Sequence, residues 1–98
     1  MNKKRDSLMY WLEEWSDNNY GSSDWILHHV KFSQNDDAGL FLVQSFEYDR
    51  VAIVYIYGKN IDGDIMYSLE KSVKTPNKEM VEIAKEIFDA ISHRTILK

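Results

Sequence analysis

The chain has 98 residues, a formal net charge of −4 and no cysteine. This length predicts one domain over residues 1–98. Without cysteine, a disulfide, a thiolate nucleophile and a thiolate metal site are all excluded. The acidic balance argues against a nucleic-acid partner, because such binding depends mainly on Lys and Arg that neutralise phosphates. The basic run Lys3–Arg5 is interpreted as a solvated leader.

Targeting and membrane segments are not evident in the sequence. A secretory signal needs an unbroken apolar core after its positive charges, and Lys3–Arg5 is followed instead by Asp6 and Ser7. The longest apolar run, Val51–Tyr57, is too short to span a bilayer. We therefore expect a cytoplasmic protein with no membrane partner.

Two segments have the periodicity of amphipathic helices. In the first, Leu8, Trp11, Leu12 and Trp15 form one stripe, Asp6 or Ser7 is the expected N-cap, and turn-forming residues 18–23 end the pattern. In the second, Thr75 is the expected N-cap and Pro76 the first helical residue. The apolar stripe of this second helix comprises Met80, Ile83, Ala84, Ile87, Phe88 and Ile91.

Four strand-like runs lie between these helices, at about Trp25–Ser33, Gly39–Tyr48, Val51–Tyr57 and Asp64–Val73. The third run is apolar on both faces, which is typical of a central strand that is covered on each side. Short links between consecutive strands favour an antiparallel meander. The predicted fold is therefore α+β: a four-stranded antiparallel meander with an N-terminal and a C-terminal helix packed on it.

Residue patterns for catalysis or cofactor binding are weak. In the first strand, alternation predicts that His28 shares a face with Val30 while His29 points the opposite way, so the two could not easily share an ion. The segment Asn60–Asp64 imitates the start of a calcium loop, but Ile65 stands at the sixth position, where that loop needs glycine, and Lys71 replaces the twelfth-position Glu. Because there is also no nucleotide-binding glycine motif, we predict a protein that is not an enzyme, with no metal and no cofactor.

Acidic turns and tyrosines suggest a binding surface instead. In a meander, the first and third turns lie at the same end of the sheet, which would gather Asp36 and Asp37 with Asp62 and Asp64. These carboxylates could meet a basic partner, although Asp is also simply a favoured residue of solvated turns. Tyrosines beside carboxylates are typical of protein interfaces. The candidate aromatic contacts are Tyr55, Tyr57 and Tyr67.

A resemblance narrows the function. The Trp-bearing segment Trp11–Trp15 (WLEEW) and the arginine-led strand Tyr48–Gly58 (YDRVAIVYIYG) resemble the TriTu-type immunity family of bacterial polymorphic and contact-dependent toxin systems. This chain has Tyr55 and Tyr57 where that family tends to place Trp. The resemblance implies a non-catalytic protein that binds a cognate toxin in the cytoplasm and neutralises it by occluding its active or substrate-binding site.

Two alternatives remain open from the residues. One is a general interaction or adaptor module, which could be a homodimer that pairs sheet faces or edges. The other is an enzyme or small-ligand binder, which would need an apolar pocket that holds His28 or His29 with a carboxylate nearby.

Overall fold

The computed structural model describes residues 2–74 and 78–94, and it confirms the predicted α+β meander. The four strands are antiparallel and adjacent in chain order, so β1 and β4 form the two edges of the sheet. The elements are α1 (Lys3–Tyr20), β1 (Trp25–Phe32), β2 (Gly39–Ser45), β3 (Arg50–Lys59), β4 (Ile65–Lys74) and α2 (Lys78–Arg94).

The two helices cover opposite faces of the sheet. On one face, α1 contributes Leu8, Leu12 and Trp15 to a core cluster with side chains of β2 and β3. On the other face, α2 buries residues against the alternate side chains of the same strands. The prediction of a central strand covered on both sides is therefore confirmed. The strand residues facing α1 are Phe41, Val43, Ala52, Val54 and Ile56, and those facing α2 are Leu40, Leu42, Val51 and Ile53.

A bulge in β1 overturns the predicted orientation of the histidines. Pairing with β2 passes from Leu27–Val43 to His29–Leu42, which leaves His28 as an extra residue. The Nε2 atom of His28 lies 2.7 Å from the Oε1 atom of Gln44. Because Gln44 and Leu42 alternate onto the α2 face, both histidines lie on that face and the prediction that they diverge is wrong.

Helix α1 is longer than its apolar stripe indicates. It starts at Lys3, with the side chain of Asn2 as N-cap accepting a bond from the backbone N–H of Arg5. The basic run is therefore the first helical turn rather than a leader. At the other end, the Asn19 amide donates to the carbonyl oxygen of Trp15 (2.7 Å), and the helix continues to Tyr20.

Strand β2 ends earlier than predicted, at Ser45, because Asp24 holds the chain that follows it. The Asp24 carboxylate accepts bonds from the Ser45 hydroxyl (2.5 Å) and from the backbone N–H of Glu47 (2.7 Å). Residues 46–49 consequently form a turn. The predicted N-cap Thr75 and the predicted first helical residue Pro76 lie outside the described residues.

Candidate protein-binding surface

The two aspartate-bearing turns lie at the same end of the sheet, as the meander requires. Asp36 and Asp37 belong to the β1–β2 turn, and Asp62 and Asp64 to the β3–β4 turn. The environments of the two turns differ, and this difference determines how much charge each pair presents to a partner.

The first acidic pair is bound to the start of α1. Arg5 Nε lies 2.8 Å from Asp36 Oδ1, and the Asn2 amide donates to Asp36 Oδ2 at 2.7 Å. Lys4 Nζ lies 3.2 Å from Asp37 Oδ1. Hydrogen bonds from Arg5 and then Asn2 lower the pKa of Asp36. The negative charge of this turn is therefore partly compensated within the chain, which sequence reasoning missed because it treated Lys4 and Arg5 as solvated.

The second acidic pair lies in a turn ordered by Asn60. The Asn60 side-chain oxygen accepts bonds from the backbone N–H groups of Asp62 (3.0 Å) and Asp64 (2.8 Å). Both aspartate residues are exposed. Asp64 also lines a groove against the second half of α1, where Glu14 is one of the walls.

The first acidic pair therefore contacts the start of α1, whereas Asp64 faces the second half of that helix across a groove. Arg5 and Glu14 are nine positions apart, which corresponds to about 14 Å along a helix axis. The structure places all four aspartates at one end of the sheet but separates them into two groups. Arg5 and Lys4 pair with the first group, whereas the second lies near Glu14, whose own carboxylate pairs with Lys59.

The three candidate tyrosines are divided between the faces of the sheet. Tyr55 and Tyr57 share the α2 face, with ring centroids 5.8 Å apart and planes inclined by 31°. Tyr67 pairs with Ile56 and lies on the α1 face. Its ring makes an edge-type contact with Trp15, with the ring centroids 5.7 Å apart. Tyr57 and Tyr67 are 47% and 45% exposed, so both rings are available to a partner. Tyr55 is half-buried, and this burial, followed by the nearby charge of Glu70, raises its pKa.

An open groove of about 510 Å³ brings part of the predicted set together. Its walls include Asp37 from the β1–β2 turn, Tyr55 and Tyr57 from β3, and Arg94 from the end of α2. Two aromatic faces with a carboxylate and a guanidinium beside them can hold an extended side chain of a partner protein and bond its polar end. The remaining walls are Ser33, Gln34, Asn35 and Ala38.

A series of aromatic contacts on the α1 face was not predicted. Tyr20 lies 6.3 Å from Tyr48 and 5.7 Å from Trp15 (centroid distances), and Trp15 in turn contacts Tyr67. Tyr48 is 51% exposed. No local spacing in the sequence signals this series, because helical neighbours are three or four residues apart and Trp15 and Tyr20 are five apart. Their alignment with Tyr67 depends on how α1 crosses the sheet.

Comparisons with protein-family models, curated proteins and solved structures gave no match for this chain. Neither described helix combines the length and apolar character needed to cross a membrane. Within residues 2–74 and 78–94, no group of three or more acidic or histidine side chains is arranged to hold a metal ion.

Proposed function

We propose that this protein is a non-catalytic, cytoplasmic binding protein that neutralises a cognate bacterial toxin domain by covering its active or substrate-binding site. The observation that carries this proposal is the open groove in which Tyr55, Tyr57 and Asp37 lie beside Arg94. The resemblance of segments Trp11–Trp15 and Tyr48–Gly58 to immunity proteins supports the choice of a toxin as partner.

The composition of the groove favours a protein partner. Tyr and Arg are over-represented among the residues that contribute most to protein–protein affinity, especially where a ring is partly enclosed by its neighbours. Tyr57 meets this description because its ring contacts that of Tyr55 while remaining half exposed. We assign Tyr57 as the main anchor and Tyr55 as its support, with Tyr67 as a separate contact on the α1 face.

The aspartates have unequal roles in this proposal. Asp36 mainly holds the β1–β2 turn against α1, because Arg5 and Asn2 bond its carboxylate. Asp37 has an exposed pair with Lys4 and also lines the groove. Asp62 and Asp64 are exposed and supply the negative charge that attracts a basic toxin surface. Charge of this kind raises the association rate more than it lowers the dissociation rate.

The proposal is tested by measuring binding to the protein encoded beside this gene, with Tyr57→Ala as the decisive variant. We expect Tyr57→Ala to weaken binding by about 30-fold, which is the threshold effect of an interface hot spot. Tyr10→Ala is the matched control, since Tyr10 is 75% exposed and lies on α1. If Tyr57→Ala and Tyr10→Ala bind with equal affinity, the groove is not part of the interface. If the protein encoded beside this gene does not bind the wild type, the toxin assignment is wrong.

A second candidate function, a self-associating interaction module, is favoured by a different observation: the exposure of the edge strand β4.

A further inference from the structure

The edge strand β4 is the most exposed element of the sheet. Within Ile65–Lys74, every residue except Ile65 and Val73 is exposed. Three of these exposed residues are large and apolar: Met66, Tyr67 and Leu69, at 36%, 45% and 50%. An edge strand presents unpaired backbone N–H and C=O groups that can pair with another strand. The opposite edge strand, β1, is less accessible because five of its eight residues are partly buried.

A bulge in β4 determines which residues share a face. Pairing with β3 passes from Val54–Leu69 to Ile53–Lys71, so Glu70 is the extra residue. Val54 faces α1 and Ile53 faces α2, which places Leu69 on the α1 face and Lys71 on the α2 face. Because successive strand residues alternate between faces, Glu70 follows Leu69 onto the α2 face, where Lys71 also lies and where the charge of Glu70 acts on Tyr55. Two opposite charges are therefore adjacent on one face near the middle of the strand.

From this arrangement we infer that β4 pairs antiparallel with β4 of a second copy of this chain, which joins the two sheets into one of eight strands. The two-fold axis passes between Glu70 and Lys71, so that Glu70 of each copy faces Lys71 of the other. This inference does not rest on the proposed toxin groove of Tyr55, Tyr57 and Arg94, although the dimer would cover Tyr67, which is also proposed as a separate toxin contact.

The register follows from the faces and the charges. With Glu70 opposite Lys71, Leu69 lies opposite Ser72 and Tyr67 opposite Lys74, and each pair joins residues of the same face. A shift of the register that puts Glu70 opposite Glu70 is unfavourable for two reasons. It would pair Leu69 with Lys71, whose side chains lie on different faces, and it would place two negative charges directly opposite each other.

The same charges explain why a second copy fits better than an unrelated apolar strand. Charged side chains and bulges on edge strands normally oppose pairing. In the antiparallel self-pairing of β4, however, Glu70 and Lys71 form two reciprocal attractive pairs, and Lys74 lies against the ring of Tyr67, where its cation is favoured. A contact limited to one strand pair is small, so we expect a weak dimer with a Kd of roughly 1–100 µM.

The experiment measures the mass of the protein by sedimentation equilibrium between about 1 µM and 1 mM, a range that brackets the expected Kd. The wild type should change from monomer to dimer across this range. Glu70→Lys and Lys71→Glu each put like charges opposite one another in both pairs that join position 70 of one copy to position 71 of the other. Each substitution should raise the Kd of the dimer at least tenfold. A mixture of the two variants should form a heterodimer, and the double variant E70K/K71E should recover the wild-type dimer, because both combinations restore opposite charges.

Glu13→Lys is the matched control for Glu70→Lys, since Glu13 is an exposed residue of α1 and both substitutions replace a negative charge with a positive one. Circular dichroism checks that every variant is folded. A monomer over the whole range overturns the inference, as does a dimer that survives both single substitutions. Failure of both the mixture and E70K/K71E to dimerise overturns the register in which Glu70 faces Lys71.

Discussion

The two helices are fixed to the same sheet in different ways. Along α1, polar side chains bond the neighbouring segments: Arg5 to Asp36, Glu14 to Lys59, and Asp17 to the indole N–H of Trp25. Along α2, Ala84, Phe88 and Ile91 pack against the sheet, while polar bonds such as Lys85–Asp89 join residues of the helix itself.

This difference indicates that α1 is positioned by directional contacts as well as by packing, whereas α2 depends more on its apolar stripe. Directional contacts respond to pH and salt, and apolar packing responds to lost volume. The difference can therefore be tested by substitutions that remove one kind of contact at a time.

The largest effect is expected on the α2 face. Phe88→Ala removes a ring that is 3% exposed and should lower the free energy of unfolding by roughly 3–5 kcal/mol, through lost burial and the cavity left behind. Urea denaturation measures the loss, and amide exchange should increase first in α2. Ile83→Ala, at a residue 40% exposed on the same helix, is the control and should cost far less. Equal protection of α1 and α2 in Phe88→Ala would contradict the comparison.

An intermediate effect is expected on the α1 face at Gly39. A Cβ atom there would lie 2.6 Å from Cζ of Phe41, and this ring is fully buried. Gly39→Ala should therefore destabilise the protein by about 1–3 kcal/mol through overpacking. In a Phe41→Leu background the same substitution should cost less, because the ring it meets is gone. An unchanged cost in that background would show that Phe41 is not the cause.

The smallest effect concerns Asp36 and its dependence on pH. Hydrogen bonds from Arg5 and then Asn2 lower the pKa of Asp36 in the folded state. The carboxylate therefore stabilises the fold above its unfolded-state pKa of about 4, and this contribution is lost as the pH falls through the lower folded-state value. Asp36→Asn should be slightly less stable than the wild type at neutral pH, and this difference should disappear in acid.

Denaturation of wild type and Asp36→Asn at a series of pH values measures this difference. Asn suits the position because Asp36 has a positive φ of 58°, which Asn tolerates. Asp62→Asn, in the exposed β3–β4 turn, is the control. A gap between wild type and Asp36→Asn that stays constant with pH would mean that the ion pair with Arg5 does not stabilise α1.

The candidate surface could be predicted only in part. The position of both acidic turns at one end of the sheet follows from the strand order alone, so it was available from the sequence. The engagement of Asp36 by Arg5 was not, because it depends on where the first turn of α1 lies relative to a turn 31 residues away. The division of Tyr57 and Tyr67 between two faces depends on the pairing of β3 with β4.

The sequence by itself determined the element order, the meander and the two-sided burial of β3, because the apolar pattern of a strand and its turn residues are local signals. Only the tertiary structure decided the bulges at His28 and Glu70, the full length of α1 and the contacts of Lys4 and Arg5. Bulges and ion pairs are selected by the partner strand or helix that packs against them, so no local pattern in one segment specifies them.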